Sequence, residues 1–387
     1  MQAYSSNDLY NQIIRQEASD AFRNNYLSEE SYKKILLSKP CNLYMPNYFI
    51  RIALGLVTII AVLFTAVLLG LLFASSGGSA RVITLCFFLG VACYAALELI
   101  IKNKKYYNAG IDNILMSSVI IFFLSAFFVN DITTKYILIS AISMAIALYL
   151  CVRFTDAFMA IVCYLSFVLF VFFLYQKLGT IAKTTLPFLM MILSVCIYVS
   201  MQRLQKMDRL VTYNFCLKSV MLLTLVTFYA ACNYFVVKEL SNQMLGPRVS
   251  IKDDLPMGWL FWIFTFSIPF IYIFYGIKRK DLLFIRTGLV LIAAAIFTIR
   301  YYHHVLSAEI CMLIAGSVLI IVSYLLIQYL KEPRQGYTSA EVNPPGENLL
   351  NIEALIIART LGTSSKTQDN SLFGGGSGGG GGATGNF

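Results

Sequence analysis

The chain has 387 residues, 58% of them hydrophobic and 13% charged, against roughly 25% charged residues in an average soluble domain. That balance excludes an ordinary water-soluble globule, and 29 Phe with 24 Tyr fit a surface that faces lipid. The net charge of +10 does not indicate nucleic acid, because Lys and Arg fall in short clusters between apolar runs rather than along one soluble face.

The first 47 residues are polar, with helical spacing. Asn7 is placed to cap a helix carrying Tyr10, Ile14, Ala18 and Ala21 on one face. Ser28 is placed to cap a second, with Glu29 and Glu30 in its first turn and Lys33 and Lys34 further along, where the helix dipole favours each sign. Pro40 ends it. A hairpin of this size holds no core alone, so its apolar stripe is expected to rest on a membrane domain, on headgroups or on a partner. No cleavable signal is expected, since the first apolar run begins only near residue 48.

From Tyr48 to Ala74 the only charge is Arg51, and about 20 apolar residues suffice for a helix to cross the hydrocarbon core. Inside lipid every backbone N–H and C=O must be bonded within the protein. The expected fold class is therefore all-α, a polytopic transmembrane helical bundle. About ten spans are read between 48 and 330: 48–74, 82–101, 109–129, 134–152, 156–175, 184–201, 213–237, 258–277, 284–300 and 307–330. A cytoplasmic segment over 331–370 and a Gly-rich tail over 371–387 complete the predicted organisation.

The connecting charges alternate. One side receives Arg15, Arg23, Lys33, Lys34 and Lys39, then Lys102, Lys104 and Lys105, then Arg153, then Arg203, Lys206 and Arg209, then Lys278, Arg279 and Lys280, and last Lys331 and Arg334. The other side receives Arg81, Lys135, Lys177 with Lys183, Arg300, and one mixed loop over 238–257. Because Lys and Arg favour the cytoplasmic side, both termini are expected there. The 238–257 segment, with turn markers at Gly246, Pro247, Pro256 and Gly258, reads as a solvated connector.

A charge near the bilayer centre usually marks a pathway, and few are present. Glu98 lies within a turn of Lys102, Asp112 sits in the first turn of the third span, and Asp156 follows Arg153 at a short turn. Each reaches an interface, a dipole or a nearby cation, so these read as structural. Lys218, with Asn214 a turn before it, and Pro269, with Thr265 preceding it, form the candidate polar cavity. Proline removes a helical hydrogen bond and can leave a carbonyl free for a ligand, although a plain kink is the commoner outcome.

The two histidines stand in Arg300-Tyr301-Tyr302-His303-His304. Adjacent helical side chains point about 100° apart and seldom chelate one metal, so an aromatic and basic interfacial belt is expected. Gly288 with Ala295, and Ala308 with Ala315, place small residues on one face of each of the last two spans, which predicts a close-packed hairpin. Nine cysteines show no CxxC or ligand spacing and read as packing residues. Hydrolase elbows, P-loops, HExxH and dinucleotide fingerprints are absent, so no catalytic, cofactor or metal residue is assigned.

Beyond Lys331, a short apolar stretch with Leu349, Ile352 and Ile356 is too short to span and is a candidate partner-binding element, together with Phe373 and Phe387, which bracket the glycine-rich end. Such an end is ordinarily a flexible linker, and a fusion scar is a further reading, but the aromatic residues at both ends make it less like a bare linker. The segment Leu27-Ser-Glu-Glu-Ser-Tyr-Lys-Lys-Ile-Leu, the ten-span body and Arg300-Tyr-Tyr-His-His-Val-Leu together resemble uncharacterised bacterial polytopic membrane proteins of unknown function. The glycine-rich end is similar to tails in related bacterial membrane proteins. The resemblance implies a bacterial inner-membrane protein without an established reaction. The expected function is an inner-membrane scaffold or accessory subunit that meets lipid through its spans and another protein through its cytoplasmic extensions. The alternative is a transporter or channel for a neutral or lipid-like substrate.

Overall fold

The computed structural model describes residues 2–23, 26–74, 79–128, 136–245 and 257–302, with scattered residues between 313 and 331. The elements they form are all helices, without a strand, and divide into two compact units.

The membrane unit comprises Met1–Gln12 and Cys41–Glu341. Its apolar helices are α3 (Tyr48–Ala74), α4 (Ser79–Lys104), α5 (Ile111–Phe128), α6 (Tyr136–Phe154), α7 (Ala157–Gln176), α8 (Thr180–Gln205), α9 (Asn214–Cys232), α11 (Gly258–Arg279) and α12 (Leu282–Tyr302), with the shorter α10 (Tyr234–Leu245) between α9 and α11. A 3₁₀ turn, Asp208–Tyr213, leads into α9. Eight helices are long and apolar enough to cross a membrane, and α5 is a shorter apolar helix. The protein is a multi-pass membrane protein. The tenth expected span, 307–330, lies largely outside the described residues, as do His303, His304, Ala308 and Ala315.

Neighbouring spans pack as antiparallel hairpins, α4 on α5, α6 on α7, α8 on α9 and α11 on α12, and α7 against α9 joins two of them. One apolar core gathers Leu97, Met116, Leu150, Phe154 and Met159 from α4 to α7, and a second gathers Leu225, Tyr229, Tyr272 and Leu291 from α9, α11 and α12. α3 is covered far less: Phe49, Phe64 and Leu71 are all exposed. Where α3 meets the α4–α5 turn, backbone touches backbone. Gly110 has φ +92°, and a Cβ there would collide with the carbonyl of Arg51, so only glycine lets the chains approach this closely.

Two expectations are corrected. The seventh span does not run through residue 237, because the chain turns extended at Asn233 (ψ 126°) and starts again as α10. The first part of the expected 238–257 connector is likewise helix, up to Leu245, while 246–256 lie outside the described residues. The cause is local: the Asn233 side chain caps the new helix, accepting from the N–H of Phe235 and of Val236.

The second unit comprises Ile13–Pro40 and Val342–Phe387, and the partner-binding candidates Leu349, Ile352, Ile356, Phe373 and Phe387 lie outside the described residues. Its described part holds the second half of α1 (Ser6–Arg23) and all of α2 (Glu29–Ser38). Phe22 stacks on Tyr32 with centroids 4.8 Å apart. Ser28 caps α2 as expected, its hydroxyl accepting from the Ser31 N–H, and the helix ends ahead of Pro40. Asn7 falls inside the first turn of α1, which begins at Ser6 rather than after an Asn7 cap.

Candidate functional site

Uncharged residues build the most deeply buried polar cluster. Pro269 sits inside α11 and has no N–H to offer the carbonyl of Thr265 four residues earlier. That carbonyl accepts from the Tyr229 hydroxyl of α9 at 3.4 Å. The Tyr229 hydroxyl in turn accepts from Asn233 Nδ2 at 3.1 Å, and the second Nδ2 proton goes to Thr298 Oγ1 of α12 at 3.0 Å. Thr298 passes its own proton to the Ala294 carbonyl. The Thr265 hydroxyl accepts from the Tyr234 N–H at 3.0 Å and donates to the Phe261 carbonyl at 2.7 Å.

Each proton in this hub has an acceptor and each helix break has a cap. Asn233, Thr265 and Thr298 are 2%, 0% and 1% exposed. The arrangement ties the α9–α10 break to α11 and α12 in surroundings where an unpaired amide is costly. The neighbouring cavity of ≈ 150 Å³ is lined mainly by apolar residues such as Leu186, Ala230 and Val237, with Thr227 and Ser241 its polar ones, and Asn233, Tyr229, Thr265 and Thr298 are not in its lining.

Of the cavity candidates, Thr265 and Pro269 meet in the hub. Asn214 and Lys218 do not join them. Asn214 Oδ1 accepts from Gln205 Nε2 at 2.7 Å, and Lys218 is exposed on α9, about 16 Å of helical rise before Tyr229. Asn233, Tyr229 and Thr298 escaped sequence reading because a search for charges passes over neutral side chains. Their one sequence signal was an asparagine inside an apolar run.

A second polar junction closes the ends of α3 to α7. Arg153 grips Glu98 with both arms, Nε to Oε1 at 2.8 Å and Nη2 to Oε2 at 3.1 Å. Glu98 also accepts from the Tyr94 hydroxyl at 2.7 Å. The expected neighbour of Glu98 was Lys102, and that of Asp156 was Arg153. Instead Asp156 caps α7 through the Met159 N–H, while Asp112 accepts from the Ala109 N–H at the start of α5.

The segment Gln2–Tyr4 threads into this junction. The Ala3 N–H donates to the Arg153 carbonyl at 2.8 Å, the Tyr4 hydroxyl to the Tyr106 carbonyl at 2.8 Å, and Gln2 Nε2 to Thr212 Oγ1 at 3.3 Å. Burial pushes the Tyr4 hydroxyl up and that of Tyr107 up to about 12, so both stay protonated donors. Burial also raises Asp156 above the usual carboxylate range, with the Met159 amide pulling it down and the charge of Asp112 pushing it up.

At the far end, Tyr234, Trp262 and Tyr302 form an aromatic cluster, and Phe235 stacks edge-on to Tyr301 at 4.7 Å. The Lys238 ammonium lies 5.1 Å from the Tyr302 ring centre. Among the described residues no group of three His, Cys, Asp or Glu is placed to hold a metal. Compared with known protein families, curated proteins and solved structures, the chain matches none.

Proposed function

We propose that this protein is a membrane scaffold or accessory subunit without chemistry of its own. Its setting would be a bacterial inner membrane, as the resemblance noted above implies, with the Lys- and Arg-rich helix ends in the cytoplasm. One observation carries the reading: the hub of Asn233, Tyr229, Thr265 and Thr298 spends its donors internally, and none of these four residues lines the adjoining cavity, where Thr227 donates to its own helix's Leu223 carbonyl. A site that moves a polar substrate needs groups free to exchange partners. The transporter alternative drew on Lys218 acting beside Pro269, and Lys218 is exposed on another part of α9.

A partner would dock on the second unit, where Leu37 is 82% exposed on α2, the helix that Ser28 caps and the Glu29–Lys33 ion pair braces. Cross-linking of the full chain in native membranes, read by mass spectrometry, tests this. The expected result is a recurrent partner cross-linked to residues 29–38, with Leu37→Glu reducing that yield several-fold while the protein level is unchanged. Solute flux in vesicles that scales with protein content and falls in Thr265→Val would overturn it.

A further inference from the structure

A large groove lies between α6, α7, α8 and the start of α9, with a volume of ≈ 610 Å³. Its walls are almost wholly apolar, with Leu148 on α6, Ala160 and Cys163 on α7, Met201 on α8 and Val220 on α9. On α6 it runs from Met144 to Val152, a rise of about 12 Å, close to the depth of one leaflet of a hydrocarbon core of about 30 Å. The groove therefore has the length of one leaflet and the chemistry of a hydrocarbon chain.

Cations flank one end of the groove without lining it. Leu204 and Leu210 both line it, and the connection between them carries Lys206 and Arg209, with Arg203 just before. All three cations are exposed, none forms a salt bridge among the described residues, and Asp208 is the sole acid in this stretch. The wall is shut behind them, where the Tyr213 hydroxyl donates to the Val152 carbonyl at 2.7 Å. A neutral lipid would satisfy the walls and leave the cations to water. An anionic lipid satisfies both, since each Lys or Arg close to anionic headgroups contributes about 1 kcal/mol.

The geometry points to a binding site for one anionic phospholipid, its acyl chain laid in the groove and its phosphate held by Arg203, Lys206 and Arg209. This site is independent of the hub and of the scaffold reading. Its structural role is to fill the gap between the α6–α7 and α8–α9 hairpins, which otherwise meet through α7 and α9.

The test uses the full chain in detergent, titrated with phosphatidylglycerol or phosphatidylcholine of the same acyl composition and read by native mass spectrometry. The expected result is one retained phosphatidylglycerol per chain, bound roughly tenfold or more tightly than phosphatidylcholine. The triple variant Arg203→Gln, Lys206→Gln, Arg209→Gln should lose that preference, and Cys163→Trp should reduce retention of both lipids by filling the groove. Equal retention of the two lipids, or an unchanged preference in the triple variant, overturns the proposal. So does a doubled mass that Cys163→Trp abolishes, which would place a second copy's helix in the groove. The three cations are exposed, so the triple variant decides the question even if Cys163→Trp fails to fold.

Discussion

Asn233 holds two different kinds of bond, and their sizes decide what its loss would cost. Interhelical side-chain bonds in membrane proteins average about 0.6 kcal/mol, because an unfolded helix in lipid also finds partners. The N–H groups of Phe235 and Val236 have no such substitute, since they follow a helix break in apolar surroundings. Leaving such a group unpaired costs about 1–3 kcal/mol. Thr298→Val is therefore expected to cost about 1 kcal/mol or less, and Asn233→Ala about 2–4 kcal/mol, both read from unfolding midpoints in detergent. Equal effects would mean that the cross-helix bonds, rather than the cap, dominate. Asp156 gives a pH signature at the same scale. Its native carboxyl holds a proton more tightly than an unfolded one, so the native state binds more protons between the ordinary value of 3.8 and the raised one. Stability must then fall as pH rises through that window. Asp156→Asn keeps an N-capping side chain and should flatten that slope in melts taken from pH 4 upward.

Among the helical hairpins, α11–α12 shows a tightly toleranced contact within the helices themselves. A Cβ on Gly288 would lie 2.7 Å from Ile273 Cγ1 and 3.0 Å from the Pro269 carbonyl oxygen, so α12 meets α11 at the very turn where proline interrupts the ladder. The Ile273 side chain can yield, but the backbone oxygen cannot. Gly288→Val is expected to cost about 1–3 kcal/mol through overpacking, measured as a lowered melting temperature, whereas Gly70→Ala, with nothing within 4 Å, should have little effect. The sequence marked Gly288 and Ala295 as a close-packing face but assigned it to the following span. Small residues announce an approach without naming the partner, and here the described partner is the preceding helix. The same asymmetry holds for Glu98. Its neighbour one turn away was visible, but Arg153 lies 55 positions on and became adjacent only when α4 packed beside the α6 end. Spans were legible because lipid imposes a length and a composition on each of them. The break at Asn233 was not, because one asparagine among apolar residues alters hydropathy too little to end a run.

For the whole molecule, the distribution of charge over the helix ends is the best available guide to orientation. Lys102, Lys104, Arg203, Lys278 and Arg279 fall in last turns of helices that end on one side, as the alternation of spans requires. Exposed Met207 and Met257 stand at opposite ends of this alternation. In a variant without other reactive cysteines, Met257→Cys is expected to react with an impermeant maleimide in intact cells, and Met207→Cys only after permeabilisation. The reverse pattern would invert the proposed topology, and labelling of both without permeabilisation would break the span count between them.

The seating of Gln2–Tyr4 also carries a consequence for biogenesis. Gln2 bonds Thr212, 210 positions further along, Ala3 bonds Arg153, and Tyr4 bonds Tyr106. After Gln2 leaves the ribosome, the chain must grow by those residues before its last partner exists, a delay of roughly 10–40 s at 5–20 residues per second. Throughout that interval at least five spans are made while the segment lacks its full set of partners, Tyr106 arriving first, Arg153 next and Thr212 last. Seating of Gln2 is thus the last of the three contacts to become possible, and the complete set forms only when the ends of α4 and α6 and the approach to α9 have come together.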